Sequence, residues 1–168
     1  MKKILIVIII VIALLVGYWL LSPLFIDKKV QEGLEEISEQ IEKNSPSDSQ
    51  DTLIPQGPEN LMVISEGAFE GKGAHSAKGT ARIISSGEKK FVRFEDDFEV
   101  TNGPDLFVYL GRNGAYDPET QLGALKGNIG SQNYDIPGRF DLSQYDSVWV
   151  WCRAFSVAFG EAKLNSVQ

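Results

Sequence analysis

The chain of 168 residues has one cysteine and one histidine. A single cysteine closes no internal disulfide, so Cys152 is a free thiol or an intermolecular partner. A single histidine makes any Ser/His/Asp triad depend on His75. No G-x-S-x-G elbow accompanies it, and no glycine-rich phosphate loop precedes a helix. A hydrolase or nucleotide enzyme is therefore not indicated, and whether the chain is an enzyme at all stays open. The reading leans against a stand-alone enzyme. Basic residues are too few and too scattered for a nucleic-acid partner: the net charge is −7, and no basic stripe is present. Residues 27–60 hold nine acids against three lysines, whereas residues 61–168 hold fourteen acids against eleven basic residues. Most of the acidity thus sits in a connector.

The sequence does contain one long hydrophobic run. Lys2 and Lys3 precede Ile4–Leu21, eighteen residues without a charge. About 20 apolar residues cross a bilayer, and Tyr18 and Trp19 suit its interface. No small-residue cleavage site follows. Residues 1–26 therefore read as an uncleaved single-pass anchor, with Lys2 and Lys3 in the cytoplasm and the rest of the chain outside it.

Residues 27–60 read as a tether. Val30, Leu34, Ile37 and Ile41 fall at helical spacing, which predicts an acidic helix over 30–43. That helix is either a half-exposed spacer or a short coiled-coil seam joining two chains as a homodimer. Asn44–Glu59, rich in Ser, Asp, Pro and Gln, reads as a flexible linker.

From Leu61 the pattern changes to short strands separated by turn residues. The expected strands are Leu61–Ile64, Ala77–Ile84, Lys90–Phe94, Phe98–Thr101, Leu106–Leu110, Gly130–Tyr134, Ser147–Cys152 and Ser156–Phe159. With no long amphipathic helix between them, they predict an all-β domain over 61–168, an antiparallel sandwich or barrel. Asn102–Asp105 reads as the turn of a hairpin joining Phe98–Thr101 to Leu106–Leu110. Asn113–Pro118 reads as an exposed loop. Along Ser147–Cys152 alternation puts Val148, Val150 and Cys152 on one face, and Trp149, Trp151 and Arg153 on the other. Both faces are apolar over 148–152, as in a strand buried on both sides.

Several blocks in order resemble one family. Asp96–Leu110, with its Asn102-Gly103-Pro104-Asp105-Leu106 core, is similar to the DM-thirteen domain, an electron-transfer domain present in Skeletor-type proteins. His75 with Gly79 and Thr80, then Leu125–Tyr134, then Ser147–Phe159 with Ala162 and Leu164, extend the resemblance over about residues 62–165. It implies a small β-rich extracytoplasmic module in which Cys152 is the redox residue. Electron donor and acceptor would then be separate molecules.

Two functions remain open on the residues. One is a membrane-tethered redox module exchanging electrons through Cys152. The other is a non-catalytic binding or structural module with Cys152 in its core. A reactive thiolate needs positive charge and access, whereas burial among valines raises a thiol's pKa. His75 and Cys152 together offer two axial ligands to a haem, or two ligands to copper or zinc, with Met62 as a third soft donor. Two are few for zinc. The acidic run Glu95, Asp96, Asp97 and Glu99 lacks the spacing of a calcium loop and reads as a solvated strand face.

Overall fold

The computed structural model describes residues 2–21, 26–35 and 61–167. One helix, α1 (Lys2–Leu21), stands at the N-terminus. The linker expected over Asn44–Glu59 lies outside the described residues. Among the described residues no helix is long and apolar enough to span a membrane.

Eleven strands follow. They are β1 (Leu61–Gly71), β2 (Ala77–Lys78), β3 (Thr80–Ser86), β4 (Lys89–Phe94), β5 (Glu99–Val100) and β6 (Leu106–Arg112). Then come β7 (Ala115–Ala124), β8 (Gln132–Ile136), β9 (Ser147–Cys152), β10 (Val157–Lys163) and β11 (Asn165–Ser166). The main sheet runs β7-β6-β9-β10-β1-β3-β4-β8, every pair antiparallel, with β11 added to β1. β1 joins its halves: residues 61–68 pair with β3, and residues 69–71 pair with β10. The sheet is nearly closed, like a barrel, because its end strands approach one another. A Cβ at Gly123 of β7 would lie 3.6 Å from the ring of Tyr134 in β8.

Period-two alternation fills the interior. Val148, Val150 and Cys152 of β9, Val108 and Leu110 of β6, and Val92 and Phe94 of β4 are all fully buried in one apolar cluster. Phe69, Phe94 and Phe98 pack together with centroid separations of 4.5–5.0 Å. Each such ring contributes roughly 1.5–3 kcal/mol by leaving water.

Four sequence expectations are corrected. Asn113–Pro118 is not simply a loop: Asn113 and Gly114, at φ 55° and 76°, make a tight hairpin turn, and β7 begins at Ala115. Pro118 is tolerated because β7 is an edge strand, where a missing N–H costs no ladder bond. The hairpin across Asn102–Asp105 does not form, since β5 pairs with β2 while β6 runs between β7 and β9. The strand expected over Ala77–Ile84 breaks at Gly79, whose φ of 100° and contact with the backbone of Phe98 leave no room for a side chain.

The fourth correction concerns the tether. Residues 30–33 are not helical, and residues 28–32 lie as a strap along 128–131. Val30 N–H donates to Ile129 O at 2.9 Å, and Glu32 N–H donates to Ser131 O at 3.0 Å. Side chains then lock the strap. Arg93 Nη1 donates to Glu32 O, and Asn133 N–H donates to the Glu32 carboxylate. Asn128 Nδ2 donates to Asp27 Oδ1 at 2.9 Å. Val30 and Leu34 match a helix by spacing, but these tertiary bonds decide the local structure. The remainder of the expected helix, from residue 36, lies outside the described residues.

Candidate functional site

Cys152 ends β9 between Leu106 of β6 and Val157 of β10, its register partners on either side. It is 0% exposed and belongs to the apolar cluster. Val148 and Val150 stand on its own face of the strand, as alternation predicts. Arg153, the nearest cation in sequence, turns to the other side. Its guanidinium lies 3.5 Å over the Phe107 ring and donates to both carboxylate oxygens of Asp105. Among the described residues no hydrogen bond or ion pair engages the thiol.

His75 follows β1 and stacks flat on Phe159, with centroids 3.6 Å apart and planes 11° apart. Among the described residues no hydrogen bond, ion pair or ring contact joins it to Cys152. Met62 is 70% exposed on β1, far along the strand from its end near His75. No group of three or more His, Cys, Asp or Glu side chains gathers among the described residues. Two open clefts, of 390 and 370 Å³, are lined by residues 66–68 with 165–167 and by residues 122–126 with 133–135. Neither touches Cys152 or His75. Among the described residues no contact brings these donors together.

The acidic run is engaged rather than simply solvated. Glu95 takes Arg82 Nη1 on one oxygen at 2.8 Å and Arg93 Nε on the other at 3.0 Å. Asp97 accepts from both the N–H and the hydroxyl of Thr80. Glu99 pairs with Lys78 at 2.9 Å. The bond to Glu66, the largest cause, and the charge of Glu95 raise the Arg82 pKa above its ordinary value.

On the outer face of β6, β7 and β9 the sequence reading missed a cluster of aromatic rings. Trp151 stacks on Tyr116, with centroids 3.9 Å apart. Tyr116 meets Tyr109 edge-on at 5.2 Å. Tyr109 is opposite Trp149 in the strand register, and both are buried. Trp149 Nε1–H donates to Ser147 Oγ at 3.0 Å. The Ser147 hydroxyl donates to Asp146 Oδ1 at 2.9 Å. The signal lay in Asn113-Gly114, which folds Tyr116 back beside β6; with that turn read as a hairpin, the cluster becomes visible.

These features define a small antiparallel β module with a buried thiol on one face of its central strand and clustered aromatics on the other. Residues 68–164 match the family described as Electron transfer DM13, and the chain belongs to it. Neither the curated proteins nor the solved structures compared with the chain give a match.

Proposed function

We propose that this protein is an electron-transfer module tethered to the membrane by its N-terminal helix, with the β domain outside the cytoplasm. The family match over residues 68–164 carries the reading. For the tether, the support is the uncharged run Ile4–Leu21 behind Lys2 and Lys3. At about 1.5 Å per residue a helix of that length reaches roughly 30 Å.

Cys152 is the residue assigned to electron exchange, following the family's cysteine. Its enclosure does not suit a nucleophile, which needs thiolate character and access. Electron exchange, and not nucleophilic attack, is therefore the role proposed for it. His75 is assigned no ligand role. The donor and acceptor are separate molecules.

The second reading, a non-catalytic binding or structural module, is favoured by one observation: Cys152 is fully enclosed in the core. A redox titration of the full chain in detergent separates the two, with Cys152→Ala as comparison. A reversible wave present in the native chain and lost in the variant supports electron transfer through Cys152. No wave, with a thiol that reacts only in denaturant, leaves the structural module.

A further inference from the structure

The aromatic cluster runs from the half-buried pair Trp151 and Tyr116, through Tyr109, to the buried indole of Trp149. Cross-strand partners such as Tyr109 and Trp149 have Cβ atoms roughly 4.5–5.5 Å apart. Trp151, Tyr116 and Tyr109 are thus in direct ring contact, and Tyr109 is related to Trp149 as its register partner on the adjacent strand.

The two buried rings differ in where their protons can go. Trp149 Nε1–H reaches Asp146, an exposed carboxylate, through the single hydroxyl of Ser147. Tyr109 OH donates to Gln121 Oε1, and an amide takes up no proton at neutral pH. Burial, the largest cause, also raises the Tyr109 pKa. An oxidised Tyr109 thus keeps no stable resting place, whereas an oxidised Trp149 can shed its proton.

We propose that Trp149 is a one-electron redox residue, oxidised through Tyr109, Tyr116 and Trp151, that hands its proton through Ser147 to Asp146. The acceptor is a high-potential one-electron oxidant, a metal centre or a radical, meeting the outer face at Trp151. The proposal rests on the electron-transfer reading above. Trp149 loses one electron and the acceptor gains it. The indole N–H bond breaks, its proton joins Ser147 Oγ, and the hydroxyl's own proton passes to the Asp146 carboxylate. A neutral indolyl radical remains. An electron from a reduced one-electron donor, with the proton returning along the same two bonds, restores the indole, and no atom is gained or lost.

Glu161 adds an electrostatic support. It is the cross-strand partner of Trp149, 3% exposed, and its Oε1 has no hydrogen-bond partner among the described residues. Its other oxygen pairs with Lys72, whose ammonium sits 5.4 Å from the Trp149 ring centre. Glu161 thus holds Lys72 beside the ring, and that ammonium opposes a lasting positive charge on the indole, which favours loss of its proton.

The test is flash photo-oxidation of the full chain in detergent, in a Trp19→Phe background, by a ruthenium polypyridyl complex free in solution. Transient absorption should show a neutral tryptophanyl radical. Trp149→Phe should abolish it, leaving the cation of Trp151 or a tyrosyl signal. Asp146→Asn keeps one oxygen to accept from Asn113 N–H at the hairpin turn, and should prolong the cation stage. A neutral radical unchanged in yield and rate in both variants overturns the proposal, and loss only in Trp149→Phe overturns the proton path. Because the photo-oxidant replaces any natural partner, failure here leaves the Cys152 titration standing. A chain that forms the radical but gives no Cys152 wave sinks only the Cys152 reading.

Discussion

The indole of Trp149 lies directly against the backbone of Gly111 on the neighbouring strand. A Cβ at Gly111 would collide with Nε1 and Cδ1 of that indole and stand 2.7 Å from Ala115 O. The glycine is therefore required by close approach, not by its dihedral angles. Gly111→Ala should destabilise the domain by about 1–3 kcal/mol, the usual cost of overpacking. It should also shift Trp149 fluorescence, because the bond to Ser147 must break. Urea melts read at the tryptophan emission check both, and an unchanged midpoint counts against the packing described.

The strap should contribute to stability from outside the β domain. Lys126 Nζ donates to both Glu32 oxygens, at 2.7 and 2.8 Å, and Glu32 also receives Asn133 N–H. A chain starting at residue 61 should still fold, since the strands all lie beyond it. It should be less stable than one starting at residue 26 by about 1–3 kcal/mol, the scale of hydrogen bonds to a charged group. A peptide of residues 26–35 added in trans should restore part of the loss. Equal melting of the two chains would show the strap to be unengaged.

Alkali should unfold the protein in a way that one phenol explains. Tyr134 OH donates to Gln132 Oε1 at 2.6 Å and accepts from Lys126 N–H. Burial, the largest cause, pushes its pKa well above the ordinary tyrosine value. A raised folded pKa means the contribution is complete below the unfolded pKa, about 10, and is lost as pH climbs toward the folded value. Unfolding free energy should fall by up to about 1.4 kcal/mol per pH unit above about pH 10 from this group. Tyr109, shifted the same way, adds to the slope. Tyr134→Phe should flatten the alkaline limb in melts compared at about pH 8 and pH 11, and an identical limb would discard the assignment.

For Cys152 the expectation is chemical silence toward reagents in the folded state. Alkylation should be negligible until denaturant exposes the thiol, and His75→Ala should leave that rate unchanged because the imidazole packs on Phe159 instead. Cys152→Ser should cost about 1–3 kcal/mol for a hydroxyl without a partner in an apolar site. Rapid alkylation of the native chain would mean that the thiol opens to solvent.

Much of the fold was readable in the residues. Ser147–Cys152 shows its alternation plainly, and the structure buries Val148, Val150 and Cys152 as that alternation requires. Lys90–Phe94 and Leu106–Leu110 were legible for the same reason. Pro118 hid β7, because proline argues against a strand unless the strand is known to be an edge, and edges are fixed only by the whole sheet. Val30 and Leu34 suggested a helix because spacing reports amphipathicity and not the partners that satisfy the backbone. The site was less legible still. A family resemblance singles out Cys152, but only strand register shows that Leu106 and Val157 flank it, and only folding shows that His75 is spoken for by Phe159.

The strap also fixes a load path. Tension applied to α1 enters the β domain through residues 28–32 and is passed to residues 128–133, two sequence neighbourhoods about a hundred positions apart. The load therefore reaches the sheet beside β8 and not at the first residue of β1. A pull on the helix is resisted in parallel by several short bonds loaded together, so the first mechanical event is release of the strap as a unit.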